Sequence, residues 1–278
     1  MVLLFDKKIA LIILLFTMVF GSFAQTDETV YNPKDYKNKD QFEKFRKKRL
    51  VVAAWQINQL KEGALIVRLR TNQTLINALK KQGNEELALQ KEVEQLAINR
   101  NTLFAYKHQF SFCKVYFIYS NNSDELLSTK PSGIFLDSNL VIDPLITLNE
   151  KFYLIAERDY AYNSSIGFVK EDSAKYVSET GNPVKEMAVV IKNKYGHQLK
   201  APFPYYVKDK TYAGKNSAVK ETVVYNGVTK TALVGKQFSK EKQSLYIGIL
   251  NDNLAQFFQS TSAPDLKKID PTVLPFLY

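Results

Sequence analysis

The chain carries one cysteine, Cys113, in the stretch FSFCKVYFIYSNNSDE, and two histidines, His108 and His197. A thiol nucleophile needs a nearby base, usually histidine, and a depressed pKa. His108 precedes Cys113 by five residues, but it falls at an expected helix end, where a cationic or polar side chain suits the dipole. His197 follows the turn-like KYG and is expected in solvent. No glycine-rich nucleophile elbow or cysteine-protease signature surrounds Cys113. Cysteine is among the most buried residue types, and the strand around it is aromatic and β-branched. Cys113 is therefore read as a core thiol, with a redox or bridging thiol and a nucleophile as the alternatives.

Metal and carboxylate chemistry leave few candidates. Two distant histidines and one cysteine cannot make a four-ligand zinc site without carboxylates, and H-E-x-x-H and paired C-x-x-C are absent. DSNLVID, with Asp137 and Asp143, does not match a calcium loop and reads as a turn. Walker, G-x-G-x-x-G and G-x-S-x-G motifs are missing, so no metal and no cofactor is expected. FYLIAERD ends in Glu157 and Asp159, which share one face of a strand and could form a hydrolytic carboxylate pair. The alternative is a solvated strand end with Arg158 between them.

KAPFPYYVKDKTYAGK points to recognition instead. It combines Phe203, Tyr205, Tyr206 and Tyr212 with Lys200, Lys208, Lys210 and Lys215. Its two prolines make it extended and keep it out of a central strand. Rigid aromatics beside cations suit glycan stacking or a protein interface. The competing reading is a loop whose aromatics pack onto the sheet while the lysines stay wet.

The compartment follows from MVLLFDKKIALIILLFTMVFGSFAQTDE. Lys7 and Lys8 precede an apolar run from Ile9 to Phe20, and Ser22 and Ala24 supply a small-residue site. This pattern describes a signal peptide cleaved after Ala24, because the run is short for a membrane span. No cysteine stands directly after it, so the acylated terminus of a lipoprotein is not expected. Export to the periplasm or beyond is the expected localisation.

Net charge is +10; removing residues 1–24 takes away two lysines and one aspartate, leaving +9. Such a surface attracts anionic partners, and KFRKKR (Lys44, Arg46, Lys47, Lys48 and Arg49) is its densest basic run. That run could bind an anionic membrane surface. Nucleic acid is not expected, since no nucleic-acid-binding signature is present.

These residues need elements to hold them. About 250 mature residues suit a single domain able to bury a core without disulfides. Residues 25–39 read as a flexible polar segment, 40–261 as one α/β domain and 262–278 as an irregular tail. DQFEKFRKKRLVVAAWQINQLKEG reads as a helix, with Asp40 and Glu43 at capping-box spacing and Gly63 available for a left-handed stop. Leu50, Ala53, Ala54 and Ile57 form its apolar stripe. ALIVRLR is a buried strand; Thr71 and Asn72 cap a helix that Gly83-Asn84 interrupts; a long helix follows, with Leu89, Val93, Leu96 and Leu103 on one side. FCKVYFIYS is the next strand, which closes a βαβ unit and places Cys113 with Val115 and Phe117. Short strands then follow in GIFL, FYLIAER, SIGFVK and MAVVIKN, with hairpin turns at NKYG and YNG. SLYIGILNDNLAQFFQ closes the domain as a helix that buries Ile247, Leu250, Leu254, Phe257 and Phe258.

The expected fold is a mixed α/β sheet flanked by helices: a βαβ crossover, then short antiparallel strands and a closing C-terminal helix. A doubly wound fold fits less well, because turns join the later strands. The element order is similar to that of a thioredoxin-like domain, by analogy of order only, and the missing C-x-x-C would remove redox activity in such a domain. The functional expectation is a non-catalytic binding or envelope-associated domain whose partner is an envelope protein or glycan. The alternatives are a carboxylate-dependent hydrolase and a peripheral binder of anionic membrane.

Overall fold

ALIVRLR folds into a strand because nearly every residue in it has an apolar neighbour on its own face of the sheet. The computed structural model describes residues 39–127, 131–161, 186–209 and 217–264. The chain divides into two units, Met1–Phe42 with Ser165–Val184, and Glu43–Ser164 with Lys185–Tyr278; the second holds nearly all of the described residues. The expected leader, the 25–38 part of the polar segment, the SIGFVK strand and residues 265–278 of the tail lie outside the described residues.

The elements run α1 (Lys39–Glu62), β1 (Ala64–Leu69), α2 (Gln73–Lys81), α3 (Glu85–Gln109), β2 (Lys114–Tyr119), β3 (Tyr153–Ala161), β4 (Glu186–Lys192), β5 (Tyr206–Lys208), β6 (Ala218–Tyr225), β7 (Val228–Gly235) and α4 (Lys240–Ser260). Five strands form a mixed sheet in the order β2-β1-β3-β4-β5. β1 lies parallel to β2 from Ala64↔Lys114 and parallel to β3 from Ala64↔Tyr153. β3, β4 and β5 then pair antiparallel. The βαβ unit and the mixed α/β class are those expected.

Alternation sorts the side chains. Leu65, Val67, Phe117, Leu154, Ala156, Val189, Ile191 and Val207 form one core with Ile57 and Leu60 of α1, Leu103 and Tyr106 of α3, and Ile247, Leu250 and Leu254 of α4. Burying each of these larger side chains stabilises the fold by about 1.5–3 kcal/mol. The opposite face carries Ile66, Ile118 and Ile155, covered by Leu126, Ile134 and Phe135 from the β2–β3 connection.

Several local expectations change. GIFL makes isolated bridges, Phe135 with Ile118 and Leu136 with Ile142, rather than a strand; Gly133 at φ 69° and the turn at Asp137 interrupt it. Gly63 is not left-handed. Its missing Cβ instead admits the Phe152 carbonyl, which would lie 2.4 Å from a β-carbon and which accepts the Ala64 N–H. Asn72 sits at φ 52° and does not cap α2 with its side chain, which donates to Gln95. The α1 stripe moves towards Ala53, Ile57 and Leu60, leaving Leu50 exposed. Asn226 and Gly227 have φ of 49° and 77°, the conformation that a tight primed turn requires. The β6–β7 hairpin packs Val223, Ala232 and Val234 on Val93 and Ala97 of α3. α3 is therefore covered on two sides, which explains buried residues around much of its circumference.

Candidate functional site

The aromatic–lysine segment forms the end of the sheet. β5 is its edge strand, as the prolines require, and residues 203–208 alternate inward and outward. Phe203 and Tyr205 point into the main core, at 2% and 3% exposure. They cannot offer faces to a ligand, and the reading in which aromatics pack onto the sheet holds for these two. Tyr206 is half-buried, with its ring centroid 4.7 Å from that of Tyr205, and Lys208 is exposed. Lys210 and Tyr212 lie outside the described residues.

Beside β5 runs a groove of about 600 Å³ lined by Tyr206, Val207 and Lys208 and, from α4, Lys242, Leu245, Tyr246, Ile249 and Asn253. α4 turns Ile247, Leu250 and Leu254 inward, and Ser239 caps its start by accepting the Lys242 N–H. That orientation leaves Leu245 and Ile249, one helical turn apart, facing out at 50% and 36% exposure. Among the described residues, two cations and no carboxylate line the groove. Its wall includes Tyr246, which is buried; burial pushes its hydroxyl pKa up, and the charge of Arg158 partly opposes this. Arg158 pairs with Asp209 and stacks over Phe238 at 4.3 Å. Burial brings its guanidinium down to about 10; Tyr246 opposes the shift and Arg70 adds to it.

Glu157 and Asp159 share the opposite face, as alternation required, but cations occupy them. Arg68 Nη1 donates to Glu157 Oε2 at 2.5 Å, and Lys192 Nζ donates to Oε1. Lys192 also donates to Asp159 Oδ2 at 2.7 Å, and Arg70 approaches Oδ1 at 3.7 Å. Arg68 is steadied in turn by Ser123 Oγ at 2.7 Å. Burial works against the Asp159 charge, but Lys192, the Tyr160 N–H and Arg70 outweigh it and hold the carboxyl below its ordinary value. Burial likewise opposes the Lys192 charge, and Glu157 and Asp159 overcome it, raising that pKa. A general acid needs a raised carboxyl pKa. Glu92 and Asp137 move down, through hydrogen bonds from Lys80 and from the Val141 N–H respectively. Glu150 also moves down, where Lys114 and Tyr116 outweigh burial.

A smaller cleft of about 260 Å³ lies between α1 and the start of β3, lined by Trp55, Gln56, Gln59, Phe152 and Asn193 among others. Trp55 and Phe152 meet edge to face at 5.2 Å, so its aromatic wall is built by packing. Cys113 borders the main core with Val115. Burial pushes its thiol up to about 12, and the charge of Lys61 and the Leu65 backbone only partly oppose this. Asp137 accepts the N–H groups of Asn139 and Val141, so DSNLVID is a turn. No group of three or more His, Cys, Asp or Glu residues suited to a metal occurs among the described residues. Of the basic run on α1, Lys47 is exposed and Arg49 half-buried. The side chains of Lys44, Arg46 and Lys48 lie outside the described residues. No helix among the described residues is long and apolar enough to cross a membrane.

Of the residues lining this groove, the sequence pattern singles out Tyr206 and Lys208 but not Lys242, Leu245, Ile249 and Asn253. The signal was available: SLYIGIL has more apolar residues than one buried stripe can use, so some must face outward. No protein-family model, no curated protein and no solved structure matches the chain.

Proposed function

We propose that the chain is an exported, non-catalytic binding domain that holds an envelope partner in the groove between β5 and α4. The observation that carries this reading is the outward pair Leu245 and Ile249 beside Tyr206. Large apolar side chains gathered along an edge and rimmed by cations mark an interaction surface better than scattered ones do. The thiol raised by burial and the carboxylates bound by Arg68, Lys192 and Arg70 support a binding role over a hydrolytic one.

The test is affinity capture by residues 25–278 from a crosslinked envelope extract, compared with a Leu245→Glu/Ile249→Glu variant. Both positions are exposed, so the variant should keep its fold, which circular dichroism checks. Loss of a specific partner at unchanged fold is expected. Equal recovery by both proteins would overturn the assignment to this groove.

A further inference from the structure

Resting on that reading, we infer that the occupant of the groove is an extended segment of a partner protein, with alternating acidic and apolar side chains, which pairs with β5 as an additional strand.

The backbone gives the pairing direction. Asp209 N–H donates to the Met187 carbonyl, and Ile191 N–H donates to the Tyr205 carbonyl. With Val207 opposite Val189, the odd-numbered residues of this segment turn their amides toward β4. In an antiparallel ladder the residue between two such positions points its N–H and C=O the other way. The Tyr206 backbone therefore faces the outer edge of the sheet, beside the groove. An extended peptide laid there is held by main-chain hydrogen bonds, with side-chain pockets giving selectivity.

The α4 wall sets the length of the segment. The α4 wall runs from Lys242 to Asn253, a span of about 16 Å at the helical rise. About five residues of extended chain cover that distance. The faces specify the side chains. Val207 lies on the helix side of the sheet and Lys208 on the other, opposite Ala188. A strand added beside them turns alternate residues toward Leu245 and Ile249, which favour apolar groups. The intervening residues turn toward Lys208, which favours carboxylates, and Lys242 attracts an acid at the end of the segment. Charge complementarity decides the sign, because the lining has two cations and, among the described residues, no acid.

The probe is a fluorescein-labelled heptapeptide, Gly-Glu-Val-Glu-Val-Glu-Gly, followed by anisotropy at low salt. Two controls replace glutamate with lysine, or N-methylate the amides on the edge that pairs with β5. Binding of the acidic probe is expected to weaken at least tenfold with Lys242→Glu, with N-methylation and with the lysine sequence, and to weaken as salt rises. Exchange of the Tyr206 amide should slow at least tenfold on binding. Equal affinity for the N-methylated and parent probes, or for lysine and glutamate, would overturn the proposal, as would no binding. If Leu245→Glu/Ile249→Glu abolishes envelope capture while the acidic probe fails to bind, the groove stands and the strand-pairing proposal falls. If the substitutions change nothing and the probe fails, both fall.

Discussion

Native labelling of Cys113 should be slower than labelling of the unfolded chain by three orders of magnitude or more. The thiolate is the reactive species, and burial raises this thiol from 9.0 to about 12. Near pH 8 an ordinary thiol is about one-tenth ionised, and one at about 12 is ionised in roughly one molecule in ten thousand, a ratio of about a thousand. Restricted access adds to that factor, since Cys113 packs with Val115 against the main core. The native chain and the chain unfolded in guanidinium would each react with a chromogenic disulfide at pH 8 under pseudo-first-order conditions. Lys61 is the charge that partly favours the thiolate, so Lys61→Ala should leave native labelling slow. A native rate within about tenfold of the unfolded rate would refute the argument and return a reactive thiol to consideration.

Two further predictions concern the frame of the sheet. Gly63→Ala places a β-carbon 2.4 Å from the Phe152 carbonyl and 2.8 Å from that of Gln59. Overpacking and the strained Ala64–Phe152 hydrogen bond, offset by a less flexible unfolded chain, should cost about 2–3 kcal/mol. Trp55, the one tryptophan, abuts Phe152, so fluorescence-monitored urea unfolding reads the loss; a cost below about 0.5 kcal/mol would contradict the close approach. Glu157→Gln leaves Arg68 and Lys192 without their shared partner and should cost about 2–4 kcal/mol, below the fully buried limit because both cations are partly exposed. The sign of the pH dependence follows from the shifts. Asp159, held low, contributes stability above its ordinary value of 3.8 that is lost as pH falls through the folded value. Lys192, held high, contributes stability below 10.5 that is lost as pH rises through its folded value. Wild-type stability should therefore form a plateau between these limits, and Glu157→Gln should lower the alkaline limb first; an unchanged alkaline limb would contradict the coupling.

Local signals made much of the fold legible. The continuous apolar run of ALIVRLR marked a strand covered on both faces, and Asn226-Gly227 fixed a hairpin. The prolines before Tyr205 correctly excluded a central strand. Less legible was the direction of each aromatic in that segment. Composition grouped Phe203, Tyr205 and Tyr206, whereas period-two alternation separates the first two, in the core, from the third. Glu157 and Asp159 could be placed on one face from YLIAERD alone, but Arg68 lies 89 residues away from Glu157 and Lys192 lies 35 away. Only strand pairing brings such groups together. The α4 half of the groove was hidden similarly, because the outward facing of Leu245 and Ile249 depends on which stripe the sheet takes.

Site-resolved crosslinking reads which face of the domain a partner occupies. A photoreactive phenylalanine analogue placed at Leu245 or Ile249, and in a control at exposed Leu87 on α3, would be irradiated in envelope-bearing cells. A partner seated in the groove gives one discrete adduct from both groove positions and none from Leu87. Adducts from Leu87 alone, equal yields at all three positions, or no adduct from the groove would contradict it.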